Sequence, residues 1–372
     1  MIEQIPRIDR RIVKVLFKNL PTTLDDVYNS ILLRAPNQVQ AKRLLQIIVA
    51  ATRPLRLREV GVALAITEET ECYEDLELQN DEQLAITARN ICGLFVHIVD
   101  DTVFLIHQSA KDFLISLSEK VSRIAPSWKH SISVSDSALL LTSICIRFLY
   151  LKELRKKKAP PVRDALELAS TYDFLEYSAN SWAVHFGRMT IQDRHEFLPQ
   201  AMDLCSMETD QYMDWEIAVR GVGRSVHPFP LYIASYLGLD MVVRALLTSH
   251  GVDVNSTTDD SRTPILLSIE KGHKGIAETF LAVPGIDINM PSSKGNSPLS
   301  TAISLGHKDI VKLLLAIPGI DINITSGGCL PPLLFAICEG NESLVKLLLA
   351  TPGIDINTAS GGGLTIPSAD NI

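Results

Sequence analysis

The residues best suited to chemistry in this chain of 372 residues are two glycine-linked histidines, His273 and His307, and a glycine cluster at 221–223. Paired histidines can bind a metal, and glycines can cradle a phosphate. The histidines occupy the same position of successive repeats, which favours turn histidines that join two helices by hydrogen bonding. The glycine cluster is followed by Arg-Ser rather than Lys-Ser or Lys-Thr, which indicates a loop. We therefore expect no metal and no cofactor.

Catalytic motifs are absent from the sequence. It contains neither a G-x-x-x-x-G-K-[ST] phosphate loop nor a G-x-S-x-G nucleophile elbow. Its six cysteines form no C-x-x-C pair, which predicts buried, reduced thiols in a cytoplasmic protein rather than a disulfide scaffold. We expect no catalytic residues, and hence no enzyme.

Charge and hydropathy restrict the partners. Lys plus Arg number 35 and Asp plus Glu number 43, a net charge of −8 that argues against nucleic acid and anionic membranes. Four adjacent cations at 155–158 suggest a nuclear-localisation or nucleic-acid patch. They lack interleaved aromatics and precede Pro160-Pro161, which favours a solvated loop. The longest apolar stretch, 138–151, contains Arg147 and is shorter than the ~18 residues of a membrane span.

The two candidate histidines lie in a series of sequence repeats, each 34 residues long. Three markers keep this step over four copies: Asn255, Asn289, Asn323 and Asn357; Pro230, Pro264, Pro298 and Pro332; Gly238, Gly272, Gly306 and Gly340. In each copy, proline opens a short helix, glycine ends it, and a second helix with a Leu/Ile/Val stripe follows. This layout resembles the ankyrin repeat, although the family's histidine after Pro-Leu is missing. The resemblance covers 226–372, as four repeats and a truncated fifth.

The order of helices and strands expected in the N-terminal third is that of a winged helix. Helices are expected at 21–33, 38–51, 57–66 and 83–92, and a closing helix at 108–117. Two β-branched runs, 94–99 and 102–106, flank Asp100-Asp101 and predict a hairpin with a two-residue turn. The fold class is therefore mainly α, with a small β-hairpin, a helical linker and a C-terminal ankyrin solenoid.

Three segments in order resemble fungal NACHT-type, NOD-like receptor (NLR) proteins, which belong to the STAND class. They begin Leu20-Pro-Thr-Thr, Arg53-Pro-Leu-Arg and Val103-Phe-Leu-Ile-His-Gln-Ser, and resemble the GPI inositol-deacylase-type winged helix after the nucleotide-binding core. Residues 174–185 resemble the helical spacer of these proteins. The resemblance implies a helical remnant of the core region at 1–37, a winged helix at 38–120, a spacer at 121–225 and ankyrin repeats at 226–372.

The resemblance also implies a function. The chain looks like the C-terminal part of a receptor, a fragment or a truncated relative, because the family's P-loop core is missing. Such a core could be a partner. His107 resembles the winged-helix histidine that approaches bound diphosphate in related signalling ATPases, and is our switch candidate; a histidine bonded to backbone at a strand end is the alternative.

We expect a non-enzymatic protein–protein interaction and regulatory module that binds a protein on the concave face of its ankyrin repeats. The variable hairpin tips and first-helix positions predict these contact residues: Tyr236, Asp259, Asp260, Glu270, Lys271, Ser293, Lys294, Ser304 and Glu339. The alternative is a DNA-binding winged-helix regulator. Its recognition helix, 83–92, would carry one cation, Arg89, whereas a groove reader needs several contacts.

Overall fold

The chain is mainly helical and divides into two compact units. The computed structural model describes residues 23–116, 127–154, 171–206, 230–249, 251–258, 260–325 and 330–356. The N-terminal unit contains the residues up to 153 and 170–189, and the C-terminal unit contains 154–169 and the residues from 190 onwards. The predicted features that lie outside the described residues are the glycine cluster, the basic run, the truncated fifth repeat and Asp259.

Four helices, three of them capped by a side chain, begin the N-terminal unit. They are α1 (Leu24–Leu33), α2 (Gln38–Ala50), α3 (Leu57–Ala65) and α4 (Asp81–Cys92). Side chains of Thr23, Asn37 and Asn80 accept backbone N–H groups at the starts of α1, α2 and α4. The Asn80 cap explains why α4 begins at Asp81, two residues before the predicted start.

A three-stranded antiparallel sheet completes the winged helix. It consists of β1 (Leu55–Arg56), β2 (Val96–Val99) and β3 (Thr102–Leu105), in the order β1-β3-β2, and α5 (Gln108–Leu114) follows it. Asp100 and Asp101 take positive φ angles of 46° and 58° in the hairpin turn, as predicted. The sequence missed β1 because two residues carry no alternation that could reveal a strand.

Two helices pack together in the rest of this unit. A short parallel pair, β4 (Ile115–Ser116) and β5 (Ile132–Ser133), leads into α6 (Val134–Leu149), and α7 (Leu175–Arg188) packs on α6. The Phe174 ring contacts those of Phe148 and Tyr177 at centroid distances of 5.4 and 5.2 Å. These aromatic residues and the buried Trp182 form the core of this part of the unit.

Helix α6 ends at Leu149, although the apolar stretch of the sequence continues to residue 151. Beyond it the backbone N–H of Lys152 donates to the Glu71 carbonyl at 3.0 Å. The Glu153 carboxylate accepts the Tyr73 N–H at 3.1 Å. Bonds to the segment before α4 therefore replace the last helical turn.

Helix α8 (Ile191–Cys205) and four helix pairs form the described part of the C-terminal unit. The pairs are α9 (Pro230–Leu237) with α10 (Asp240–Leu247), α11 (Pro264–Glu270) with α12 (Lys274–Leu281), α13 (Pro298–Ser304) with α14 (Lys308–Leu315), and α15 (Pro332–Cys338) with α16 (Glu342–Leu349). Thr263 and Ser297 cap α11 and α13 directly before their first-turn prolines. The tandem pairs confirm the predicted repeat layout.

A ladder of asparagine side chains joins the repeats. The Asn289 Oδ1 atom accepts the Asp321 N–H at 2.9 Å, and its Nδ2 donates to the Gly319 carbonyl at 2.8 Å. Asn255 and Asn323 make the same two bonds to the repeats that follow them. This ladder explains why Asp-Ile-Asn is the constant segment of the repeat.

The turn histidine His273 bonds to the preceding repeat rather than within its own. Its Nε2 atom lies 3.2 Å from the Tyr236 carbonyl oxygen. Gly238 has a φ of +79°, and a Cβ atom there would come within 2.7 Å of the His273 ring. The glycine is therefore required both by its backbone conformation and by the close approach of the ring.

Candidate protein-binding surface and switch histidine

Tyr236 and Lys271 meet across the first two repeats. Each lies where a first helix ends, so repeat stacking brings them together. The Lys271 Nζ atom lies 4.3 Å from the centroid of the half-buried Tyr236 ring, a cation–π contact. The structure thus places two predicted contact residues side by side.

Arg262 links two further predicted residues. Its guanidinium lies 2.9 Å from the Asp260 carboxylate and 3.4 Å from the Glu270 carboxylate. Arg262 was not among the predicted contact residues. Its position between the acidic hairpin tip and the Thr-Pro start of α11 is all that marks it in the sequence. Such partly exposed ion pairs stabilise a fold by only about 0–1 kcal/mol, so their main effect is to fix side-chain positions.

We call Tyr236, Asp260, Arg262, Glu270 and Lys271 the Tyr236 cluster. The next hairpin tip joins it, because the Ser293 N–H donates to the Asp260 carbonyl at 2.9 Å.

The other predicted contact residues are placed differently. Lys294 is exposed beside Ser293. Ser304 and Glu339 are exposed at the ends of α13 and α15, and in the described chain no hydrogen bond or ion pair joins them to the cluster.

The described residues offer little for catalysis. They contain no group of three or more His, Cys, Asp or Glu side chains that could hold a metal ion. Burial raises the pKa of the Cys92 thiol to about 12 and also raises those of Cys145 and Cys205, which keeps these thiols protonated. Cys338 is exposed, unlike the buried thiols that we predicted.

Membrane insertion finds no support in the helices that the structure describes: none combines the length and the apolar composition that a membrane span requires.

His107 caps α5 at the end of β3. Its Nδ1 atom accepts the Ser109 N–H at 3.2 Å and lies 2.7 Å from the Ser109 hydroxyl oxygen. The hydroxyl of Tyr28 on α1 lies 2.9 Å from the same oxygen. His107 is exposed, and no described residue forms a hydrogen bond with its Nε2 atom. Its described contacts are thus local ones, as in the alternative interpretation of a histidine bonded to backbone.

A cleft of about 440 Å³ adjoins His107. Three potential cations line it: His107, Arg53 and Lys111. Arg53 is already neutralised by the buried Glu59, with N–O distances of 2.6 and 2.9 Å. Lys111 forms no ion pair with any described residue, so the described part of the cleft places an unpaired ammonium group beside an imidazole.

The turn that lines this cleft also binds α7. The Thr52 hydroxyl lies 2.8 Å from that of Ser181, and the Thr52 N–H donates to the Tyr177 hydroxyl at 3.3 Å. The Tyr177 hydroxyl also lies 2.8 Å from the Nε2 atom of the fully buried His185. Nothing in the sequence marks the partners of the Tyr177 hydroxyl.

Burial controls the protonation of this network. It lowers the pKa of His185 to about 4, with a further lowering from the positive charge of Arg188. His185 is therefore neutral at physiological pH, which suits a ring nitrogen enclosed with a tyrosine hydroxyl.

Two protein families match parts of this chain. The family described as ankyrin repeats (3 copies) matches residues 231–326 and 294–360. The family described as GPI inositol-deacylase, winged helix domain, matches residues 28–125. The chain thus combines residues similar to a winged helix domain of this type with ankyrin repeats, and ankyrin repeats indicate protein partners.

A particular relative points the same way. The vegetative incompatibility protein HET-E-1 of Podospora anserina is 27% identical over 124 residues, which are 32% of this chain and 9% of the relative. The chain therefore spans less than a tenth of that relative's length. Together, the three matches support a likeness to NLR-type proteins over the matched residues.

Proposed function

We propose that this chain is a non-catalytic regulatory part of a cytoplasmic, NACHT-type NLR signalling protein of the fungal kind. Its ankyrin repeats bind a protein partner on their concave face, and an upstream nucleotide-binding core is its second partner. The observation that carries the first role is the Tyr236 cluster on repeats matched by the ankyrin family.

The cluster has the composition of a binding surface. Tyrosine and arginine are enriched among the residues that contribute most to protein interfaces, and polar side chains commonly surround them. Here Tyr236 is held by Lys271, and Arg262 is held between Asp260 and Glu270. Because these contacts fix the side chains before binding, less conformational entropy is lost when a partner arrives.

Purification of partners on the full chain tests this role. Tyr236→Ala should weaken binding of the recovered protein at least tenfold, about 1.4 kcal/mol at a central contact. Lys271→Ala should weaken it less, because Tyr236 remains. Lys308→Ala changes an exposed lysine on a second helix and should leave binding unchanged. Equal binding by all three variants would contradict the assignment to this face.

We further propose that His107 is the switch residue that senses the state of the nucleotide core. The support is its exposed position at a cleft beside Lys111, together with the family resemblance. In a receptor that carries the core and this chain, His107→Ala should raise basal signalling, and the exposed His97→Ala should not. Unchanged basal signalling after the His107 substitution would refute the switch role.

Binding of DNA by the winged helix is the weaker alternative. The first turn of α4 carries Asp81 and Glu82, and Arg89 is its lone cation. Acidic groups at that end of a recognition helix would repel phosphates. Salt-sensitive, submicromolar binding of a DNA duplex that Arg89→Ala abolishes would reverse this ranking.

A further inference from the structure

His107 is an unusual residue for a helix cap, because Ser, Thr, Asp and Asn normally provide the capping oxygen. Here a ring nitrogen does so: Nδ1 accepts the Ser109 N–H. A nitrogen that accepts a hydrogen bond carries no proton of its own. The neutral ring must therefore carry its proton on Nε2.

The hydroxyl groups nearby agree with this protonation. The Ser109 hydroxyl lies 2.7 Å from the unprotonated Nδ1 and must donate its proton to it. The Ser109 oxygen is then free to accept, and the Tyr28 hydroxyl at 2.9 Å is its donor. The three groups form one directed chain, from Tyr28 through Ser109 to Nδ1 of His107, and hydrogen bonds in such chains strengthen one another.

Tyr28 is held firmly at the start of this chain. It is 4% exposed, and its ring contacts those of Phe95 and Phe113 at centroid distances of 5.3 and 5.5 Å. The hydroxyl position is therefore set by packing between α1, α5 and the segment before β2. The Ser109 hydroxyl bonds to Nδ1 and the Tyr28 hydroxyl bonds to that of Ser109. Neither occupies Nε2, which has no hydrogen-bond partner among the described residues.

We propose that Tyr28 and Ser109 are positioning residues that hold His107 as an Nε2–H hydrogen-bond donor at the edge of the cleft beside Lys111. The consequence for signalling rests on the switch role proposed above, whereas the positioning itself does not.

Nitrogen NMR of the full chain labelled with ¹⁵N-histidine tests the positioning directly. Loss of the His107 resonances in His107→Gln assigns them. Above neutral pH, His107 should show a protonated Nε2 and a hydrogen-bonded, unprotonated Nδ1. Ser109→Ala should shift the Nδ1 resonance towards the value of a non-bonded nitrogen, and Tyr28→Phe should shift it less in the same direction.

Conservative variants separate positioning from general structure. Ser109→Thr keeps the hydroxyl and should retain the parent Nδ1 resonance. Tyr28→Phe keeps the aromatic packing, and Tyr73→Phe changes another half-buried tyrosine of the unit and should leave His107 unaffected. A proton on Nδ1, or an Nδ1 resonance unmoved by both Ser109→Ala and Tyr28→Phe, would overturn the proposal. The expected spectra combined with unchanged receptor signalling in His107→Ala would refute the switch role alone and leave the positioning supported.

Discussion

The two units satisfy their polar groups in different ways. In the C-terminal unit, Asn255, Asn289 and Asn323 repeat one pair of bonds to backbone atoms of the next repeat, 30 and 32 residues ahead. In the N-terminal unit, Thr52 bonds to Tyr177 and Ser181, 125 and 129 residues away, and no copy of that arrangement exists among the described residues.

This difference has energetic consequences. In a repeat array, stability is close to a sum of terms from each repeat and its neighbours, so the loss of one rung is a local loss. A partly buried network without copies joins distant parts of the chain. Removal of one member leaves polar groups unpaired in an apolar interior, which costs more than the bond itself contributes.

The largest effect should come from Glu59, whose side chain is 1% exposed. Its carboxylate binds the Arg53 guanidinium and accepts the Arg56 N–H at 2.7 Å. Glu59→Ala should lower the unfolding free energy of the N-terminal unit by about 3 kcal/mol, because both partners lose their acceptor.

Chemical denaturation read by hydrogen exchange in each unit measures this effect. The exposed Glu82→Ala is the matched control and should change stability by less than about 0.5 kcal/mol. A comparable loss in both variants, or a loss confined to the C-terminal unit, would contradict the described network.

A smaller effect should appear as a pH dependence. The pKa of His185 is about 4 in the folded chain against 6.5 in the reference state, so the unfolded chain binds more protons between these values. Stability of the N-terminal unit should therefore fall as the pH is lowered below about 6.5, and the His185 contribution lost by pH 5 is about 2 kcal/mol.

Unfolding measured between pH 7.5 and 5 tests this dependence. His185→Gln should reduce the loss of stability on acidification, whereas the exposed His97→Gln serves as control. The same pH slope in the parent and in His185→Gln would show that His185 is not held neutral by burial.

The smallest of these effects should come from the ladder. Asn289→Ala removes the bonds to Asp321 and Gly319 from exposed positions where water can replace them, so the expected loss is about 1 kcal/mol. It should appear in the C-terminal unit alone. Ser304→Ala, on the exposed end of α13, is the control. If Asn289→Ala lowered the unfolding free energy as much as Glu59→Ala, the proposed energetic difference between the units would be wrong.

The difference between repeated contacts and contacts made once also determines what could be predicted from the sequence. Each ladder asparagine recurs every 34 residues, so the constraint is visible as a pattern and the helix pairs follow from it. The hairpin was also predictable, because Asp100-Asp101 and the flanking β-branched runs are local signals.

Contacts made once between distant residues have no such pattern. Arg53 and Glu59 look like surface charges in the sequence, and Tyr177 looks like one more apolar residue of a helix. Strand β1 is too short to show alternation, and Arg262 gains its role from folding beside Glu270. For the candidate site, composition predicted Tyr236 and Lys271, but their cation–π contact depends on repeat stacking.

The proposed function depends most on binding of a protein partner by the surface around Tyr236. The most direct measurement is site-specific photo-crosslinking in the full chain, with a photoreactive phenylalanine derivative in place of Tyr236 or, as the matched site, Lys312 on α14. Position 236 should yield a crosslinked partner that excess unlabelled parent chain suppresses, and position 312 should yield none. A protein that crosslinks from position 312, with none from position 236, would contradict binding at this surface.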